Sequence, residues 1–72
     1  MQGGVRLESN LKKFRKKIKM KQEEVAKIIN YSRQYYSCVE RGKKRGSVEF
    51  YQRIQDKFDL TDAETWVLTK NT

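Results

Sequence analysis

The chain contains no histidine and no proline, a single cysteine and four glycines among 72 residues. Without histidine it lacks the commonest metal ligand and the usual proton-transfer group at neutral pH. Cys38 alone cannot close an internal disulfide, build a thiolate cluster or be activated by an imidazole. The few carboxylates fall mainly where helices begin, which leaves no paired-acid arrangement for catalysis. We therefore expect no enzyme, no catalytic residue, no metal and no cofactor. No apolar run approaches the ~18 residues of a membrane span, and no stretch reads as a signal peptide. With one cysteine and no pairing partner for it, a reducing cytoplasm is the expected location and no membrane is an expected partner. A chain this short makes one domain, burying only about 60% of the surface its unfolded form exposes.

What the sequence has in excess is positive charge, and that charge is unevenly placed. The net charge is +8. Residues 1–46 hold fourteen Lys/Arg against four Asp/Glu, whereas residues 47–72 hold three against five. One part of the molecule is built to meet a polyanion and the rest is not.

The stretch that organises the chain is QEEVAKIINYSRQYYSCVERG, from Gln22 to Gly42. Val25, Ala26, Ile28 and Ile29 crowd one side of a helical wheel from Gln22 to Ile29, with Glu23 and Glu24 where the helix dipole favours acids. Asn30, a residue that tolerates left-handed backbone, is expected to stop that helix. Ser32 supplies an N-cap oxygen for a second helix over Arg33–Arg41, and Gly42 ends it. There Tyr36 and Val39 point inward, leaving Ser32, Arg33, Gln34, Tyr35, Ser37 and Cys38 on the outer and N-terminal sides. That polar, donor-rich face suits a DNA major groove, where Arg pairs with guanine and Gln with adenine edges.

In this order the stretch resembles the helix-turn-helix of the Cro/C1-type, or Xre, phage-repressor family, with Gln22, Glu24, Ala26, Ser32, Tyr35, Ser37, Glu40 and Gly42 at the positions the pattern requires. The resemblance runs from about Leu7 to Trp66. It implies an all-α, compact five-helix, lambda-repressor-like domain with the helix-turn-helix at helices 2 and 3. It also implies that Arg15 pairs with Glu40 near the end of the recognition helix, as a structural pair. Three positions depart from the pattern. Lys21 stands where a capping Ser or Thr is usual, a difference of ~0.5–2 kcal/mol. Lys19 replaces the usual turn glycine at a cost on the order of 1–2 kcal/mol if its backbone is left-handed. Cys38 stands where a longer polar side chain often reaches DNA. The turn before Gln22 is accordingly expected to be loose.

Elsewhere the pattern is simpler. Met1–Gly4 lacks periodicity, and residues 1–6 are expected to form a flexible tail before a domain over residues 7–70. Leu7, Leu11, Phe14 and Ile18 mark a helix of about three turns with one buried stripe, while Lys12, Lys13, Lys16 and Lys17 face elsewhere. Lys43, Lys44, Arg45 and Gly46 form a basic loop. Ser47 caps a helix from Val48 to Phe58, with Phe50 or Tyr51, Ile54, Phe58 and Leu60 inward. Thr61 and Glu64 have capping-box spacing and open a fifth helix through Lys70, expected to bear Ala63, Trp66 and Val67 on one side. The expected core is Leu11, Phe14, Ile18, Val25, Ile29, Val39, Ile54, Phe58 and Leu60.

These features predict a sequence-specific double-stranded DNA-binding transcription regulator, as a repressor, inserting the third helix in the major groove. Ser32, Arg33, Gln34 and Cys38 are the candidate base readers. Lys21, Gln22, Tyr35, Arg41, Lys43, Lys44 and Arg45 are the candidate phosphate contacts. One such unit reads few base pairs, so a homodimer on a palindromic operator is expected, with the fourth and fifth helices and Trp66, Val67 or Leu68 as its surface. An antitoxin or adaptor using the same fold to bind protein is the competing reading, and RNA binding a weaker one for want of a stacking platform beyond the tyrosines.

Overall fold

The computed structural model describes residues 8–70, which form five α-helices and no strand: α1 (Asn10–Lys17), α2 (Gln22–Ile28), α3 (Arg33–Glu40), α4 (Val48–Lys57) and α5 (Asp62–Thr69). Each helix starts at an identifiable cap. The hydroxyls of Ser9, Ser32, Ser47 and Thr61 accept from the backbone N–H groups of Lys12, Tyr35, Phe50 and Glu64. Before α2 the capping position is Lys21, whose ammonium cannot accept a bond. There the reciprocal half acts alone, as the Glu24 carboxylate accepts the Lys21 N–H at 2.7 Å. Thr61 and Glu64 make both halves of their box.

Four helices stop in the same way, and only one of them uses glycine. Lys19, Asn30, Gly42 and Asp59 follow α1, α2, α3 and α4 with φ of 58°, 61°, 78° and 54°. This left-handed residue turns the chain so that the next N–H returns to a carbonyl three residues inside the helix end. Met20, Tyr31, Lys43 and Leu60 donate in this way to Arg15, Ala26, Cys38 and Gln55. The turn before Gln22 is therefore closed rather than loose. Lys19 holds its strained φ because the bonds Lys19 N–H to Lys16 and Met20 N–H to Arg15 compensate it.

The core comprises Leu11, Val25, Ala26, Ile29, Tyr36, Val39, Phe50, Ile54 and Leu68. Phe14, Ile18, Phe58 and Leu60, expected inside it, pack against its edge and are only partly buried. Helix α5 packs on α1 and α4, and α2 on α3. The Asn10 side chain strengthens the first of these contacts by donating to the carbonyls of Val67 and Lys70 at the end of α5.

Several expectations need correction. Helix α1 is two turns long, starting at Asn10 because Ser9 caps it; Leu7 and the expected tail lie outside the described residues. Ile28 is exposed, since α2 ends at it and turns away. In α5 Trp66 and Val67 face solvent, as expected of a joining surface, and so does Ala63, but the buried side chains are Thr65 and Leu68. Leu68 thus belongs to the core and not to a free surface.

Candidate nucleic-acid interface

Helix α3 is anchored from beneath by Tyr36 and Val39, both buried, and by Glu40, which is 3% exposed. A carboxylate so deep requires partners, and it has three donors. Arg15 Nε and Nη2 reach its two oxygens at 2.7 and 3.1 Å, and Gln22 Nε2 donates at 2.7 Å. Arg15 Nη1 also donates to the Met20 carbonyl at 2.9 Å, binding the α1–α2 turn to the same cluster. Burial pushes the Glu40 carboxyl up, but the hydrogen bonds from Arg15 and Gln22 outweigh it and hold the group below the usual carboxylate range. Arg15 is raised by its bond to Glu40 against desolvation. The Tyr36 hydroxyl is enclosed beside them without a hydrogen bond of good geometry, and burial, then the Glu40 charge, drives it well above the phenol range.

Ser32, Arg33 and Gln34 are exposed at the start of α3, and Cys38, half-buried, follows a little over one turn later. The Ser32 oxygen already accepts from Tyr35 N–H at 3.0 Å, so its remaining function toward a ligand is as a donor through its own proton. Beyond the helix, Arg41, Lys43, Lys44 and Arg45 are exposed. Among the described residues no ion pair involves these four or Arg33, whereas the acids Glu8, Glu40 and Glu49 are paired with Lys12 and Lys16, Arg15, and Arg53.

Gln22 and Tyr35, both expected to contact phosphate, have partners within the protein that pattern reading missed. Gln22 turns its amide to Glu40, leaving one N–H and its carbonyl for other partners. Tyr35 is half-buried, stacked on Tyr31 at 5.1 Å between ring centroids, edge-on to Phe50 at 5.5 Å, with Lys44 over its ring at 5.6 Å. Its hydroxyl accepts from Ser47 N–H at 3.3 Å and retains a proton to donate. Lys21 is exposed at the start of α2.

The loop reaches this position because Gly46 permits it. A Cβ there would lie 2.7 Å from the Tyr51 ring and 2.8 Å from the Phe50 ring, closer than any side chain tolerates. Arg53, which sequence reasoning did not select, holds the turn before α3 through bonds to the carbonyls of Ile29 and Asn30 at 3.1 and 3.3 Å. Its available signal was Glu49 four residues earlier on the same helix face.

Compared with known families, the sequence matches the helix-turn-helix family model over residues 11–64, more than half of the chain. No curated protein and no solved structure matches it.

Proposed function

The chain belongs to the Cro/C1-type helix-turn-helix family of DNA-binding transcription regulators, and on that premise we propose that it is a sequence-specific repressor that lays α3 in the major groove. The observation that carries this reading is the placement of exposed Arg33 and Gln34 at the start of a buried-backed helix, with uncompensated Arg41, Lys43, Lys44 and Arg45 past its end. In this mode the first turn of the recognition helix meets base edges and its flanks meet the backbone. Arg33 offers paired donors to guanine O6 and N7, and Gln34 matches adenine N6 and N7. Ser32 donates through its proton, and Cys38 makes a short apolar contact, as to a thymine methyl. Lys21, Gln22, Tyr35 and the four cations after α3 bind phosphates and set register without choosing sequence. Occupying an operator in this way blocks competing proteins, which is the proposed basis of repression.

Two copies on a palindrome supply the affinity one unit lacks. The proposed joining surface is on α5, where Trp66 and Val67 are 60% and 50% exposed. It borders a groove of about 500 Å³ lined by Phe14, Ile18, Phe58 and Leu60. Exposed apolar area of this kind is expected to be covered by a partner.

The test is selection of bound sequences from random duplex DNA, followed by Arg33→Ala. Selected sites should contain inverted half-sites about one helical turn, ~10–10.5 base pairs, apart. Arg33→Ala should weaken binding to the selected site by ~1–3 kcal/mol and relax choice at one base pair, with random DNA much less affected. Full discrimination by the variant would refute the assignment of α3 as the reading helix.

A further inference from the structure

Two stacked rings with a cation over each run along the side of the helix-turn-helix, built from four separate segments. At one end the Arg53 guanidinium of α4 lies over the Tyr31 ring, 5.0 Å from its centroid. Tyr31, in the turn between α2 and α3, stacks on Tyr35 in the first turn of α3 with 21° between planes. Lys44, in the basic loop, then lies over Tyr35. Each ring covers one face of the other, so the cations take the faces left free. Phe50, fully buried, meets both tyrosines edge-on and prevents the pair from sliding inward.

Arg53 is the most constrained member. Nη1 donates to both Ile29 and Asn30, whose carbonyls lie at the end of α2. Nη2 donates to Glu49 at 2.7 Å. Nη1 is thus committed to the backbone and Nη2 gives one bond to the exposed Glu49 carboxylate, and the planar fork and ring contact are features a lysine cannot reproduce. The residue braces the end of α2 at the turn that Asn30 makes, just ahead of the Ser32 cap of α3, and lies over the stack against which Lys44 rests.

Resting on the DNA-binding reading above, we infer that Arg53 is a positioning residue for DNA recognition: without contacting DNA, it sets the turn before α3 and, through Tyr31 and Tyr35, the pose of Lys44. The role adds a residue of α4 to the reading head. It also gives the tyrosine pair a task other than core filling.

The experiment has two arms on the whole chain, with Arg53→Ala and Arg53→Lys. In the first, without DNA, proton NMR follows the Lys44 methylene next to its ammonium, which the Tyr35 ring should shift upfield. Arg53→Ala should move that resonance toward its random-coil position, and Arg53→Lys should do so in part. An unchanged Lys44 resonance overturns the coupling. In the second arm, affinity for the selected duplex and for random duplex is measured across salt. Binding to the selected site should fall on the order of threefold to thirtyfold in Arg53→Ala, the range typical of coupling through a packed network. The salt slope should stay close to that of wild type, because Lys44 keeps its charge and can still reach the phosphate from a less ordered pose, whereas deleting a contact lowers it by ~0.9. A reduced slope restored by Arg53→Lys identifies a direct phosphate contact and overturns the inference. So does unchanged selectivity in a folded Arg53→Ala. If Arg53→Ala fails to fold by circular dichroism, Arg53→Lys, which keeps stem and charge, carries both comparisons. Should the wild-type chain prefer no duplex at all, the DNA-binding reading fails, and with it the recognition role of Arg53; the first arm then separately decides whether Arg53 governs Lys44.

Discussion

Replacing Glu40 should come close to unfolding the domain, and the size of the effect can be worked out. Glu40 accepts three hydrogen bonds in a site where its side chain is 2% exposed and that of Arg15 is 14% exposed. Glu40→Ala leaves the guanidinium with only the Met20 carbonyl and removes the partner of the Gln22 amide. Removing one member of a buried pair costs ~3–5 kcal/mol. A chain of this length has about 4–11 kcal/mol in total, at ~0.05–0.15 kcal/mol per residue. With ~4–8 °C for each kcal/mol in domains of this size, Tm should fall by roughly 12–40 °C. Arg15→Met alone should cost a similar amount, because it strands the carboxylate. The double variant Arg15→Met with Glu40→Leu should recover much of the loss, since apolar residues of matching volume commonly replace a buried pair without penalty. Calorimetry on wild type, Arg15→Met, Glu40→Leu and the double variant gives the coupling energy directly. The pH dependence offers an independent check. The Glu40 pKa is lowered in the fold, so its contribution is complete above the unfolded carboxylate value of about 4.3 and is lost as pH falls through the folded value. Glu8 and Glu64 are lowered as well and titrate in that window, so the comparison is between wild type and Glu40→Gln. The variant should show the shallower acid loss. Additive losses in the cycle, or identical acid profiles, would refute a cooperative buried cluster.

Lys19→Gly should stabilise the protein by about 1 kcal/mol, the left-handed penalty less the extra freedom of glycine in the unfolded chain; Asn30→Gly should be nearly neutral, and equal denaturation midpoints for Lys19→Gly and wild type would contradict the strain at φ 58°. Ile54→Ala should cost ~2–5 kcal/mol in urea unfolding through lost burial and a cavity, since Ile54 is fully buried. Lys44→Ala should weaken binding to every duplex alike and reduce the salt slope by about one counterion, measured by fluorescence anisotropy; an altered sequence preference would count against its phosphate role. Trp66→Ser with Val67→Ser should leave Tm nearly unchanged but abolish paired occupancy of a palindrome in sedimentation, and retained pairing would move the joining surface elsewhere.

Features governed by neighbouring residues were readable in the amino-acid order. Ser32, Ser47 and Thr61 cap the helices expected of them, and Asn30 and Gly42 turn the chain where the pattern requires it, because capping and left-handed backbone are local chemistry. Choosing a face for α5 was harder. Ala63, Trp66, Val67 and Leu68 spread apolar area around that helix, so only the packing against α1 and α4 selects Leu68. Long-range polar bonds were equally hidden. Nothing near Gln22 in the chain announces that its amide will turn to Glu40, eighteen positions later. Tyr35 has helical spacing that points outward, but an aromatic ring is long enough to fold back over Phe50 from the margin of the core.

The sole tryptophan stands apart from the hydrophobic interior, with the Lys70 ammonium 4.3 Å from its ring centroid. An indole already in contact with water emits nearly the same spectrum before and after denaturation. Intrinsic fluorescence should therefore be almost blind to global unfolding, whereas the same emission should shift to the blue when another molecule covers α5. The chain carries its own optical probe for association, spectrally separate from its stability.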